Sequence, residues 1–193
     1  MTRCLRWALL GALVCLGGAV TTAEGMDARA SIHGHKPPSF TDYPAELTRG
    51  LPSSTVAEPV LESKTAKQYR SVIRQEFREK ANFAGHYRVA IWGCGTDCRN
   101  FAIIDKQTGA VYTMPGIDEI SGVMGNDDER VDFKLDSKLL LISGCFNDDC
   151  ISDDTPANPK AGRYAYVWTG KELRLIHSSP IPAEPVDTDP GLH

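Results

Sequence analysis

Residues 85–112, GHYRVAIWGCGTDCRNFAIIDKQTGAVY, decide the fold. From His86 to Trp92 the chain alternates, with Tyr87, Val89 and Ile91 on one face and Ala90 and Trp92 on the other, which is the period of a strand. Phe101 to Asp105 then turns through Lys106-Gln107-Thr108-Gly109 into Ala110 to Met114. A polar turn carrying glycine between two apolar runs is the short-range signature of a hairpin.

The same signature recurs downstream. Val131 to Leu135 turns at Asp136-Ser137-Lys138 into Leu139 to Ser143, and Tyr164 to Trp168 turns at Thr169-Gly170-Lys171 into Glu172 to His177. Upstream, Glu62 to Lys80 has the spacing of a helix: Ser63 is placed to cap it, and Ala66, Tyr69, Val72, Ile73 and Phe77 share one face. Lys64, Lys67, Arg70, Arg74, Arg78 and Lys80 make the other side basic, and this side reads as a solvated face over a sheet-packed stripe, diluted by Glu76 and Glu79. The fold class that follows is α+β, mainly β: an antiparallel meander of about seven strands in three hairpins, with one N-terminal amphipathic helix. A propeller needs at least about four four-stranded blades, more than this chain can supply. One curled sheet, with one face buried under the helix, is the expectation.

The ends read differently. Arg3 and Arg6 precede an apolar run from Trp7 to Val20, and Thr21-Thr22-Ala23 offers small residues for a peptidase, so residues 1–23 read as a secretory signal cut before Glu24. The run is shorter than the roughly 20 apolar residues of a membrane span. Cys15 follows Leu13-Val14, and the bulky Val14 argues against a lipid-attachment site. Residues 24–61, rich in Pro, Ser and Gly, read as an extended or disordered lead in which the His33-Gly-His35 pair is incidental. Residues 62–177 form the single domain, and 178–193 a Pro-rich tail. With no second apolar stretch, no membrane span is expected after signal cleavage.

Cleavage at Ala23 removes Arg3 and Arg6 and no acids, which takes the formal charge from −4 to −6. An acidic chain lacks the basic footprint of a nucleic-acid binder, so no nucleic-acid partner is expected. A basic protein partner is compatible with that charge.

Four cysteines remain in the domain. Cys94-Gly-Thr-Asp-Cys98 and Cys145-Phe-Asn-Asp-Asp-Cys150 each follow a strand, behind Gly93 or Gly144. In an oxidising compartment they most simply make two disulfides, with three possible connectivities. Local bridges need a tight turn, because Cα atoms must come within about 7 Å, whereas four extended steps span about 13 Å. Gly95 and Asn147-Asp148 can supply those turns. Chain entropy favours the alternative, a bridge between the loops: about 4 kcal/mol for a long crosslink against about 2 for a short ring. Local pairing is the preferred reading, with its main effect on the stiffness of two loops. Zinc is the competing chemistry at such spacings, and export argues against it. The Cys-x-x-Cys spacing of redox dithiols is absent from both loops.

No nucleophile elbow, phosphate-binding glycine loop or His-Glu-x-x-His helix is present, and no cofactor is implied. His86 and His177 lie on strands and are the two candidate general bases. Acidic residues gather at Asp127-Asp128-Glu129, Asp148-Asp149 and Asp153-Asp154 without the alternation of a calcium loop. They read first as solvated charge, and next as a surface complementary to a cationic partner.

Asn82-Phe83-Ala84-Gly85-His86-Tyr87, then Trp92-Gly93-Cys94-Gly95, Cys98, and Ile104-Asp105 with Thr108-Gly109-Ala110-Val111-Tyr112 form one pattern. It continues in Leu139-Leu140-Leu141 and in Tyr166 with Trp168-Thr169-Gly170. In these motifs the chain resembles a group of small secreted proteins of Gram-negative bacteria, which implies a periplasmic location and no particular activity. The resemblance covers about Tyr69 to Ile176, and the second cysteine pair falls outside it. The cysteine loops are also similar to those of the periplasmic inhibitors of vertebrate lysozyme, which present a disulfide-closed Cys-x-Pro-His-Asp-Cys loop. Here Cys94–Cys98 is one residue shorter, Cys145–Cys150 has the matching length, and both share only the Asp-Cys ending, at Asp97-Cys98 and Asp149-Cys150, without the His.

The resulting expectation is a periplasmic or secreted binding or inhibitor protein. Its stiff loops would engage a basic envelope protein, such as a cell-wall hydrolase or a toxin, through Asp97, Asp148 and Asp149 with Phe146 as an apolar anchor. The alternatives are an envelope hydrolase using a His base, or a structural envelope component.

Overall fold

The structure, a computed structural model, describes residues 36–47, 58–123, 126–147, 150 and 161–181. Chain contacts divide the protein into Met1–His35 and Lys36–His193, and every described residue belongs to the second unit. The expected signal peptide, the His33/His35 pair, Asp148, Asp149, Asp153, Asp154 and the tail beyond Ile181 lie outside the described residues.

The architecture is α+β and mainly β. After a 3-10 turn at Phe40–Asp42 come two helical segments, α1 (Lys64–Gln68) and α2 (Arg70–Arg78). Eight strands follow: β1 (Tyr87–Gly95), β2 (Cys98–Asp105), β3 (Val111–Tyr112), β4 (Ile120–Ser121), β5 (Val131–Phe133), β6 (Leu139–Phe146), β7 (Gly162–Trp168) and β8 (Leu173–Pro180). Every strand pairing is antiparallel, in the order β1-β2-β4-β6-β7-β8, with β3 on β2 and β5 on β6. The three hairpins anticipated from turn chemistry are β2–β3, β5–β6 and β7–β8. The first of them closes on Asp105, whose Oδ1 accepts from Gln107 N at 2.7 Å and Thr108 N at 3.2 Å. A short side chain bonding to the backbone two residues on builds such a turn directly.

The helix anticipated over 62–80 is present as two segments hinged at Tyr69. Ser63 caps it, its Oγ accepting from Ala66 N at 3.0 Å, a contact worth about 1 kcal/mol. Tyr69 leaves helical geometry (φ −99°, ψ 24°), yet the bonds Tyr69 N to Thr65 O and Ile73 N to Tyr69 O carry the spiral through. Ala66, Ile73 and Phe77 are buried against Ala90, Trp92, Ala102 and Ile104, and Tyr69 stacks on Trp92 at 4.6 Å. On the outer side, Arg70, Arg74 and Arg78 repeat at four-residue spacing, all exposed. Like charges so placed destabilise a helix by about 0.2–0.5 kcal/mol per pair. Among the described residues only Arg74 of these three has an acidic partner, Glu58 at 3.0 Å.

The β1–β2 hairpin is buried on both faces, where one buried face was expected. Ala90, Trp92, Ala102 and Ile104 point to the helices. Tyr87, Val89, Phe101 and Ile103 point the other way, into a larger core with Phe83, Ile120, Val131, Leu140, Ile142, Tyr166 and Trp168. That core draws on β1 and β2 at one end of the strand order and on β6 and β7 toward the other. The sheet therefore curls around it, and β2 runs between the two cores as an almost wholly buried strand.

The lead is docked over residues 36–47. Ala45 N donates to Asp136 O, Lys138 N donates to Tyr43 O, and Pro44 bridges Ser137. The fully buried Ser137 lies within hydrogen-bonding distance of Phe40 O and Tyr43 O, and its Oγ accepts from Leu139 N. Gly85, at φ +86°, lets this segment close in, since a Cβ there would lie 2.2 Å from Glu46 O.

Burial pushes the phenol of Tyr166 up to about 12, with Tyr164 adding to the shift. A tyrosine whose folded pKa is raised contributes stability that is fully present below its unfolded value near 10 and is lost as pH rises toward 12. Alkaline titration followed at 295 nm is expected to show one phenol that ionises only near pH 12 or together with unfolding. Ionisation of every tyrosine near pH 10 in the folded protein would contradict this placement.

Candidate functional site

The two cysteine loops meet at one end of the sheet. Cys94 bonds to Cys98 with Cα atoms 5.2 Å apart, and Cys145 to Cys150 with Cα atoms 5.8 Å apart, so both bridges are local. The turns that permit them use left-handed backbone at Asp97 (φ +53°) and Asn147 (φ +55°). Strand β4 lies between the loops. Ser121 pairs with Cys98 on one side and Cys145 on the other, and Ile120 pairs with Arg99 and Phe146. A strand of two residues thus holds both rings side by side.

Two asparagines fix the segment that leads into β4. Asn147 Nδ2 donates to Gly116 O at 2.6 Å, while its Oδ1 accepts from Asp118 N at 2.8 Å and Glu119 N at 3.4 Å. The buried Asn100 donates from Nδ2 to Asp118 O at 2.6 Å. Glu119 is thereby set beside the first ring, its Oε2 3.6 Å from Cys98 Sγ. Cys94, Cys98 and Glu119 bring potential ligand atoms within 4.8 Å of one another. With both sulfurs in a disulfide, neither is the thiolate that zinc requires.

Three grooves run on from this point. The first, about 370 Å³, lies against the Cys94–Cys98 ring with Glu119, Ser121 and Gly122. The second, about 230 Å³, shares Asp97 and is lined by Arg99, Asp127, Asp128, Glu129 and Arg130. The third, about 280 Å³, shares Asp128 and Glu129 and reaches Asp132, Leu141, Ala165 and His177. Six carboxylates line them against three guanidiniums, those of Arg99, Arg130 and Arg163. Two carboxylates are already engaged. Arg130 Nη2 donates to both oxygens of Asp97, at 2.9 and 3.2 Å, and Arg163 Nε donates to Asp128 at 2.5 Å. Glu119, Asp127, Glu129 and Asp132 have no ion-pair partner among the described residues.

Of the residues anticipated as partner-binding, Asp97 therefore has its charge balanced inside the protein, and Phe146 is half-buried, its ring 4.8 Å from that of Tyr164. Asp148 and Asp149 fall outside the described residues. Glu119 and Asp132 join the acidic band although neither stands in the acid clusters of the sequence. Asp132 enters through strand register, which sets it beside Leu141, Ala165 and His177 in one cross-strand row.

The two histidines occupy different places. His86 Nε2 is 3.7 Å from Asp105 Oδ1, and its ring tilts against Tyr87 at 4.1 Å. His177 borders the third groove, at the far end of the row from Asp132. Three strand spacings separate those two positions, about 14 Å. Among the described residues no hydrogen bond joins His177 to a serine or a carboxylate, and Ser143 bonds instead to Asn126 and Asp128. A general base must lie within hydrogen-bond reach of the group it activates.

Compared with known protein families, curated proteins and solved structures, the chain matches none. No helix among the described residues is long and apolar enough to cross a membrane.

Proposed function

We propose that this protein is a periplasmic or secreted binding protein of the inhibitor type, whose acidic band engages a basic protein such as a cell-wall hydrolase or a toxin. The observation that carries this reading is the placement of two disulfide rings on either side of β4, near carboxylates that have no ion-pair partner among the described residues. Fixing such loops in advance lowers the entropy lost on binding. Unpaired carboxylates around a groove steer a cationic partner and raise its association rate. The resemblance to small secreted Gram-negative proteins, and that of the rings to lysozyme inhibitors, agrees with the same reading. The alternative of an envelope hydrolase with a His base draws no support from hydrogen bonding, since among the described residues neither histidine is bonded to a nucleophile.

The test is an inhibition assay of the mature, oxidised protein against a panel of basic lysozymes and bacterial cell-wall hydrolases, with cell-wall turbidity as readout. At least one enzyme is expected to be inhibited. The combined Glu119→Gln, Asp127→Asn, Glu129→Gln and Asp132→Asn variant is expected to bind that enzyme at least about tenfold more weakly, chiefly through slower association at low salt. Undiminished lysis across the panel, or equal inhibition by the variant, would defeat the proposal.

A further inference from the structure

The helical segments carry a second charged surface, of the opposite sign. Lys67, Arg70, Arg74 and Arg78 are all exposed, and their spacing of three, four and four residues keeps them on one side of a helix. Lys64 extends the row into the first turn of α1, where no acid stands to offset it. Arg70 Nη1 donates to Lys67 O at 3.4 Å. Lys67 and Arg78 stand in the last turns of α1 and α2, where a cation is favourable. The other features of the row work against the helix. Cations in a first turn oppose the helix dipole, and the four-residue spacing sets like charges beside one another. Among the described residues Arg74 alone of the row has a carboxylate partner, Glu58, and that pair is exposed. The apolar side of the helices is already occupied, since Ala66, Ile73 and Phe77 pack on β1 and β2. The row therefore faces outward from the sheet as an exposed ridge, and no helix residue lines any of the three grooves.

An exposed row of cations outside these grooves suits a flat, diffuse array of negative charge better than a ligand that needs enclosure. We propose that this ridge docks the protein on the surface of a phospholipid bilayer rich in anionic headgroups. Contact is electrostatic, with guanidinium and ammonium groups against lipid phosphates, and no segment inserts. Attraction of a polybasic segment to such a surface accumulates charge by charge and fades within a Debye length. The ridge is separate in sequence from the acidic band, so a protein held on a bilayer by its helices can still present its cysteine rings.

The experiment is vesicle co-sedimentation of the mature chain, using vesicles of phosphatidylcholine with 30% phosphatidylglycerol (about one lipid in three) and vesicles of phosphatidylcholine alone. Binding is expected to the anionic vesicles only, and to fall away as salt is raised several-fold. The Arg70→Gln, Arg74→Gln, Arg78→Gln variant is expected to bind about a hundredfold more weakly, at roughly fivefold per charge. All three side chains are exposed, so its thermal unfolding should match the parent's and show that the loss is not one of folding. The Glu119→Gln, Asp127→Asn, Glu129→Gln, Asp132→Asn variant should bind vesicles undiminished, which separates this surface from the proposed inhibitor site. Equal binding to both vesicle types, or full binding by the triple-Gln variant, overturns the proposal. Retention on immobilised polyglutamate without binding to anionic vesicles also overturns it, and assigns the ridge to an acidic polypeptide.

Discussion

Alanine at position 144 is expected to lower the melting temperature by about 10 °C and to unseat β4 from β6. Gly144 sits at φ +148°, and a Cβ there would lie 2.3 Å from Ser121 O and 3.1 Å from Ile120 Cγ2. The first of these atoms is backbone, and Ser121 is in register with both Cys98 and Cys145, so it cannot retreat without breaking a pairing. Backbone strain at such a position costs about 1–3 kcal/mol, and the displaced pairing adds to it. A total near 3 kcal/mol corresponds to about 10 °C for a domain of this size. Gly95→Ala is the matched control, since a Cβ at Gly95 meets nothing within 4 Å. Calorimetry on both variants decides the matter. A fall of less than about 2 °C for Gly144→Ala would mean that β4 can slide aside freely.

Phe101→Ala is expected to be worse still. Phe101 is 1% exposed and packs in the larger core. Truncating a buried phenylalanine costs about 3–5 kcal/mol, part from lost transfer energy and part from the cavity left behind. Because β2 is pressed from its other face by Ala102 and Ile104 against the helices, it cannot shift inward to fill the gap, which places the loss at the upper end. Domains are stable by about 5–15 kcal/mol in all. Urea unfolding should therefore show a midpoint near the onset of the parent's transition, or no folded baseline. Leu175→Ala, at a side chain 50% exposed, should stay within about 0.5 kcal/mol of the parent. If both truncations cost the same, the assignment of Phe101 to the core is mistaken.

What could be read in the sequence was whatever is local. The hairpins follow from Asp105 and Thr169 with their neighbours, because each turn is closed by residues a few positions apart. The helix follows from Ser63 and the periodic row of Ala66, Ile73 and Phe77. The short cysteine rings follow only in part: Asn147 takes the turn of the second as its residue type suggests, whereas in the first Asp97, not Gly95, takes the left-handed backbone. What could not be read is whatever joins distant segments. Ile120 and Ser121 form a strand only because β2 and β6 arrive on either side, and two residues carry no alternation to detect. The burial of β1 and β2 on both faces depends on how far the sheet curls, which no single strand encodes. At the site, Asp97 looked like a free carboxylate in a loop, yet Arg130, far along the chain, neutralises it. Glu119 and Asp132 were invisible for the complementary reason: each stands outside the acid-rich loops and reaches the band through pairing.

The position of β4 also sets an order of events. Each hairpin forms from residues close in sequence, whereas Ser121 must find Cys98 and Cys145, each more than twenty residues away. Local contacts form before distant ones repay their loop entropy. The seam between the two parts of the sheet is accordingly expected to form late, after the rate-limiting barrier. Weakening it leaves the refolding rate nearly unchanged and accelerates unfolding. The lifetime of the folded state is then expected to depend strongly on two residues, the ones that pair with both disulfide-bearing strands.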